Sequence, residues 1–232
     1  MVNLYRSLGD PSSYKKFSIY MNKLFLILFT IGSVALLAGS WFQVIPFSIT
    51  EDLGFITGAL TVWLIVVENI WNFPIGIAND IFFFVLFLEA RFFADMSLQI
   101  LYIVLGFQGW YLWLRGGKNK TALQVSNISK KELLLLALIA VIATYAMTTY
   151  LQHIQDSAPF WDALTTVLSI EAQYMLNKKF LENWYSWIIA DIIYIPLYAY
   201  KQLYLTGVVY LIFLVMCLLG LRAWKRSRMK NA

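Results

Sequence analysis

Eight stretches of the chain are long and apolar enough to cross a hydrocarbon layer, and that repetition limits the fold more than any single motif does. A spanning helix needs roughly 17–25 mostly apolar residues. The candidates are 24–43, 53–70, 73–91, 96–114, 133–152, 160–177, 184–200 and 205–223. In lipid each segment must satisfy its own backbone groups, so each is expected to be a helix. Composition agrees: 60% of the 232 residues are hydrophobic and 13% charged, against about 25% charged in a soluble domain. The expectation is an all-α integral membrane protein. The first apolar run lacks a small-residue cleavage site and reads as a retained helix, not a signal peptide.

Charge orders these spans. All but Arg91 and Lys201 of the 18 Lys and Arg fall on one side of an eight-span layout. Arg6, Lys15, Lys16 and Lys23 precede the first span. Arg115, Lys118, Lys120, Lys130 and Lys131 flank the loop between the fourth and fifth, and Lys178 and Lys179 lie between the sixth and seventh. Arg222, Lys225, Arg226, Arg228 and Lys230 close the chain. Glu51, Asp52, Asp95, Asp156 and Asp162 occupy the opposite loops. The positive-inside rule then makes both termini cytoplasmic. The pI of about 9.2 follows from these loops and calls for no nucleic-acid partner.

An internal repeat sets the expected architecture. "GALT" at 58–61 resembles "DALT" at 162–165, an offset of 104. "IAND" at 77–80 resembles "IADI" at 189–192, an offset of 112, and "GWYLW" at 109–113 resembles "GLRAW" at 220–224, an offset of 111. The matches keep their order through three successive helices. The chain therefore parses as a lead segment (1–23), an extra N-terminal transmembrane helix with its loop (24–51) and a first three-helix bundle (52–115). A basic loop with a linker helix (116–157), a second three-helix bundle (158–224) and a basic tail (225–232) follow. One helix between the triplets makes them parallel, a 3+1+3 transporter arrangement with the site between the halves.

Polar side chains inside spans are costly and point to function by default. Trp184, Trp187 and Asp191 share one helix face at spacings of three and four. At offset 112 Asp191 pairs with Asn79 and Trp184 with Asn72; at offset 104 Gln173 pairs with Asn69. Glu68 and Glu171 lie near these residues, and Gln99 sits early in the fourth span. Hydrogen bonding between helices is the plainer account, above all for Asn72 and Glu68 near helix ends. Indole faces attract planar cations, and amides with a carboxylate bind hydroxyls and carboxamides. A flat, cationic, sugar-bearing ligand fits that set. Trp41, Trp110, Trp113, Trp161 and Trp224, near span ends, fit an interfacial belt. Pro74 and Gly76 mark an expected gating hinge in the third span.

Enzyme chemistry finds little support. His153 is the one histidine and Cys217 the one cysteine, so a triad or a Cys- or His-based metal site lacks members, and no cofactor is implied. Ser169 and Thr165 lie one turn apart and fit hydroxyls bonded to their own helix carbonyls.

Longer motifs then suggest a family. "ADMSLQILYIVLGFQGWYLW" (94–113), "FWDALTTVLSIEAQYML" (160–176) and "ENWYSWIIADIIYIPLYAYKQLYLTGVVYLIFL" (182–214) resemble the PnuC family of bacterial nicotinamide riboside transporters. The W-x-x-W-x-x-x-[ND] pattern falls on Trp184, Trp187 and Asp191, where many relatives carry asparagine at the last position. The resemblance covers about residues 55 to 225 and leaves out the first span. It implies a SWEET-like fold in the bacterial inner membrane, often a homotrimer. It also implies facilitated diffusion of unphosphorylated nicotinamide riboside, trapped by a cytoplasmic riboside kinase. On that basis Trp184 and Trp187 are expected to flank the nicotinamide ring, and Asn79, Asp191, Gln99 and Gln173 to hold the carboxamide or ribose. Thiamine or riboflavin is the nearest alternative cargo, and a proton-coupled symporter using Asp191 or Glu171 the alternative mechanism.

Overall fold

The computed structural model describes residues 11–45, 47–89, 93–202 and 204–231. Arg6 and Arg91 lie outside the described residues, as do the side chains of Lys15, Lys16 and Asp95. Among the described residues the protein is all-helical: α1 (Pro11–Trp41), α2 (Ile49–Val66), α3 (Asn72–Glu89), α4 (Phe93–Arg115), α5 (Lys130–His153), α6 (Pro159–Asn177), α7 (Asn183–Tyr200) and α8 (Tyr204–Asn231), with a 3₁₀ turn at Lys118–Lys120. The sequence expected eight spans, and one helix lies at each. Segments of α1, α2, α4, α5 and α8 are long and apolar enough to cross a membrane, while α3 offers the shorter Asn72–Leu88.

Two compact units divide the chain, Met1–Ile56 and Thr57–Ala232. The first holds α1, which begins at Pro11 inside the expected lead segment. Proline suits a first helical position because its missing N–H has no intrahelical acceptor there. A capping box opens α2: the Glu51 amide donates to Ser48 Oγ (3.1 Å), and Glu51 Oε2 accepts from the Ser48 amide at 2.8 Å. Asp52 lies in the first turn of α2, where the positive end of the helix dipole favours a carboxylate.

In the second unit α2 and α6 end with the same geometry. α2 stops at Val66, short of the expected residue 70, because Glu68 turns left-handed at φ 55°. The Glu68 amide then reaches the Ile65 carbonyl (3.0 Å) and the Asn69 amide the Leu64 carbonyl (2.8 Å), the paired bonds of a Schellman cap. α6 ends identically. Lys179 has φ 51°, its amide reaches the Leu176 carbonyl (2.9 Å), and the Phe180 amide reaches the Met175 carbonyl (2.9 Å). These equivalent residues stand 111 positions apart. α3 and α7 also start 111 apart, and so do α4 and α8.

One offset of 111 therefore replaces the expected 104 and 112. Loops between corresponding helices have equal lengths, so the offset has no place to change. The "GALT" and "IAND" matches had aligned small residues in place of caps. At this offset the mate of Asp191 is Asp80 and not Asn79.

The basic loop before α5 is tied to the α6–α7 turn. Ser126 bridges Phe180 in parallel register, with Ser126 N–H to the Lys179 carbonyl at 3.1 Å and Leu181 N–H to the Ser126 carbonyl at 2.8 Å. Glu182 accepts from Asn127 Nδ2 (2.6 Å) and the Ile128 amide (3.0 Å). At the start of α5, Glu132 accepts from the Tyr174 hydroxyl (2.8 Å) and Lys178 Nζ (2.7 Å). The tail expected at 225–232 continues α8 as helix through Asn231.

Candidate functional site

Asp80 and Asp191 each stand eight positions past the start of their helix, and Ser169 eight positions before the end of α6. At 1.5 Å per residue all three lie about 12 Å from the helix ends on the basic face. Asp191 is 3% exposed. The Cys217 thiol of α8 lies beside it, while its Oδ2 is buried with no partner among the described residues. Asp80 lies near Tyr102 of α4, which meets Ser169, and Tyr194 of α7 meets Ser169 and Thr165. Tyr194 also stacks on Tyr198 and packs tilted against Tyr210, ring centroids 5.6 and 4.4 Å away. Four or more helices thus place hydroxyls and carboxyls at one depth.

The pseudo-equivalent positions show how this level departs from symmetry. At offset 111 Ser169 becomes Gly58, Tyr102 becomes Phe213, Tyr194 becomes Phe83 and Trp187 becomes Gly76. Gly58 lies against Phe213, whose Cζ would be 4.0 Å from a Cβ there. This contact matches Ser169 with Tyr102 but has no hydroxyl on either side. Only the aspartates are kept in both halves. The Tyr102, Ser169 and Tyr194 hydroxyls on α4, α6 and α7 therefore face no hydroxyl at their own mates, Phe213 of α8, Gly58 of α2 and Phe83 of α3.

The residues singled out from sequence divide by depth. Trp187 is half-buried, one turn from Asp191, on the stripe that continues through Tyr194 and Tyr198. Asn79, beside Asp80, hydrogen-bonds Thr57 Oγ1. Gln99 is half-buried on α4, one turn from Tyr102. Gln173 Nε2 donates to Asn177 Oδ1 (3.1 Å), and Asn177 Nδ2 donates across to the Leu105 carbonyl of α4 (2.8 Å). Glu171 lies about 200° around α6 from Ser169, with Oε1 buried and unpartnered among the described residues. Its stripe includes Tyr174 and Lys178, which reach Glu132 at the start of α5.

Trp184, Asn69 and Asn72 sit at the basic end instead. The Trp184 indole is 1% exposed and meets Trp224 edge-on at 5.4 Å. Asn72 Nδ2 donates to the Asn69 carbonyl (2.7 Å), and Asn69 Oδ1 accepts from the Trp71 amide (3.0 Å). Pro74 lies in the first turn of α3, where its missing N–H breaks nothing. Gly76 packs closely on Thr61 of α2, whose Cγ2 would lie 3.3 Å from a Cβ. The helix therefore runs unbroken past both residues. Pro196, inside α7, is the proline that does interrupt a ladder.

Asp80, Tyr102 and Tyr194 are not among the residues that the sequence singles out, although counting 111 back from Asp191 lands on Asp80. Thr165 bonds its own helix as expected, its Oγ1 reaching the Trp161 carbonyl at 2.9 Å.

Comparison with known proteins places this architecture. The family model described as nicotinamide mononucleotide transporter matches residues 48–226. The nicotinamide riboside transporter PnuC of Escherichia coli (strain K12) is 26% identical over 203 residues, which cover 76% of this chain and 85% of that protein. The riboflavin/roseoflavin transporter RibM of Streptomyces davaonensis is 24% identical over 186 residues, covering 77% and 86%. The crystal structure of a vitamin B3 transporter PnuC has the same fold, with a TM-score of 0.65 at 22% identity over 88% of this chain and 93% of that one. Since the family model spans α2 to α8, the chain belongs to the nicotinamide mononucleotide transporter family, that of the PnuC proteins, and is a multi-pass membrane transporter.

Proposed function

We propose that this protein imports unphosphorylated nicotinamide riboside across a bacterial cytoplasmic membrane, with both termini in the cytoplasm. Two parallel three-helix bundles, α2–α4 and α6–α8, joined by α5, would rock around a central site. The observation that carries the cargo is the carboxyl pair Asp80 and Asp191, kept at equivalent positions beside a hydroxyl cluster. A pyridinium riboside has a fixed positive charge for the carboxyls, hydroxyls for the Tyr102, Ser169 and Tyr194 side, and a flat ring for Trp187 and the Gly58–Phe213 side. Asn79, Gln99 and Gln173 would supply further amide contacts. Transport is by facilitated diffusion, and a cytoplasmic kinase traps the product. A phosphate dianion would face two carboxyls with no lysine or arginine at their level among the described residues, an unfavourable desolvation. A homotrimer is the assembly we propose from the family.

Calorimetric titration of the detergent-purified protein with nicotinamide riboside, nicotinamide mononucleotide, thiamine and riboflavin tests this reading. The riboside should bind and the mononucleotide should bind at least about 100-fold more weakly, the equivalent of about 2.8 kcal/mol. Tight binding of the mononucleotide would overturn the cargo, and tight binding of riboflavin alone would replace it. Trp187→Ala should weaken riboside binding about tenfold, the size of one desolvated cation–aromatic contact. Unchanged affinity in a folded variant removes that indole from the site.

A further inference from the structure

The basic end between the two triplets is closed by contacts that repeat at offset 111. Trp113, at the end of α4, donates its indole N–H to the Leu176 carbonyl at 3.1 Å. Trp224, on α8, donates to the Ile65 carbonyl at 3.0 Å. Each indole therefore caps the last turn of a helix in the other triplet, at the carbonyl that the Schellman cap also uses. Phe73 meets Trp113 edge-on (5.1 Å, 87°) as Trp184 meets Trp224 (5.4 Å, 87°). The Trp113 and Trp224 rings meet each other at 5.8 Å. Gly109 lies under Phe73 and Gly220 under Trp184, where a Cβ would overlap the ring.

Where these two sets meet, the symmetry breaks. Glu68 and Lys179, themselves 111 apart, form an ion pair of 2.9 Å that joins the triplets. Lys179 Nζ also stands 4.2 Å from the centre of the Trp113 ring. Both residues hold the left-handed backbone, φ 55° and 51°, which costs a non-glycine residue energy and persists only where its surroundings enforce it. By contrast, the Lys201–Asp162 pair near the opposite end stays within the second triplet.

We propose that this aromatic plug is the gate on the basic side of the site and that Glu68–Lys179 is its latch. Gating thus resides in the α2 and α6 caps and not at Pro74 and Gly76. The four rings exclude water from the path below Asp191, and opening must part both indole–carbonyl bonds and the ion pair. The latch is heterologous, one acid and one base at equivalent positions, so it joins halves that would repel if the pair were symmetric. The proposal rests on reading the chain as an alternating-access carrier, but its test uses no substrate, so it can fail while the cargo assignment stands.

Cys217 is the one cysteine in the chain, buried beside Asp191. It lies seven residues, about 10 Å along α8, deeper than Trp224. A membrane-impermeant methanethiosulfonate added from the basic side of oriented vesicles should modify it slowly in the unaltered protein. Glu68→Gln and Lys179→Gln should each raise that rate about tenfold, while labelling from the opposite side does not increase. The charge-exchanged pair Glu68→Lys with Lys179→Glu should return the rate towards the original. Trp113→Phe, which keeps the ring but loses the indole N–H, provides a second variant with the same expected direction. Basic-side rates that stay unchanged in folded Glu68→Gln, Lys179→Gln and Trp113→Phe would overturn the gate. So would an equal rise from both sides, which signals general loosening.

Discussion

Trp224→Ala should destabilise the protein by about 3 kcal/mol, and Trp113→Ala by a similar amount. Trp224 is 0% exposed and touches Trp113 and Trp184 by ring contact and Ile65 by hydrogen bond. Large-to-small changes of buried aromatics cost about 3–5 kcal/mol in soluble cores, where transfer from water and cavity formation add. Here the unfolded reference stays partly in lipid, which is as apolar as the core, so the transfer part shrinks and the packing loss dominates. That argues for the lower end of the range. The Ile65 carbonyl also keeps the Glu68 amide as a donor at 3.0 Å, so loss of the indole does not leave it unsatisfied. Trp224→Phe, retaining a ring but no donor, should cost about 1 kcal/mol, one net hydrogen bond. Trp41→Ala provides the control, since that indole is 75% exposed and its loss should fall within about 0.5 kcal/mol. Equilibrium unfolding in mixed micelles, read by tryptophan-independent far-ultraviolet ellipticity, measures all four. Similar costs at Trp224 and Trp41 would mean that the plug contributes no packing stability.

Helix number, membrane class and the existence of a repeat were legible because they rest on run length and charge, which local composition carries. The depth of a side chain was less legible. Trp184, Trp187 and Asp191 share a helix face in any α-helix, but which of them meets the plug depends on helix α8 packing over Gly220. Nothing in residues 184–191 encodes that partner. Repeat register also escaped, because small residues such as Ala and Gly recur in every apolar helix and produced plausible matches at 104 and 112. Caps would have settled it. Glu68 and Lys179 share a backbone conformation but no side-chain chemistry, so comparison by residue type could not align them. For the same reason Glu68 read as a polar group near a helix end, while its partner read as a topogenic lysine. The hydroxyl side of the site was hidden differently: Tyr102 and Tyr194 look like ordinary membrane aromatics until their symmetry mates prove to be Phe213 and Phe83.

Replacing both aspartates, Asp80→Asn with Asp191→Asn, should weaken riboside binding about 100-fold and leave neutral ligands within about twofold. A unit charge about 5 Å from a carboxylate, at the effective dielectric of about 20 that suits protein sites, is worth about 3 kcal/mol. Desolvation of the carboxylates opposes part of that gain, so the expected net is about 1.4 kcal/mol for each carboxyl and about 2.8 kcal/mol, or 100-fold, for both. Asparagine keeps the shape and one acceptor oxygen, so the change removes charge with little repacking. Each single variant should lose about tenfold if the halves contribute alike. Unequal losses would show on which side the pyridinium nitrogen rests, with Asp191 next to Trp187 and Asp80 next to Tyr102. Nicotinamide, which lacks the ribosyl cation, and riboflavin, which is uncharged in its ring system, provide the neutral comparison. An equal fall for charged and neutral ligands would assign the carboxyls to bundle integrity. No fall for either would mean that they are uncharged when the ligand enters, and a neutral vitamin of the kind carried by the Streptomyces relative would then become the better cargo.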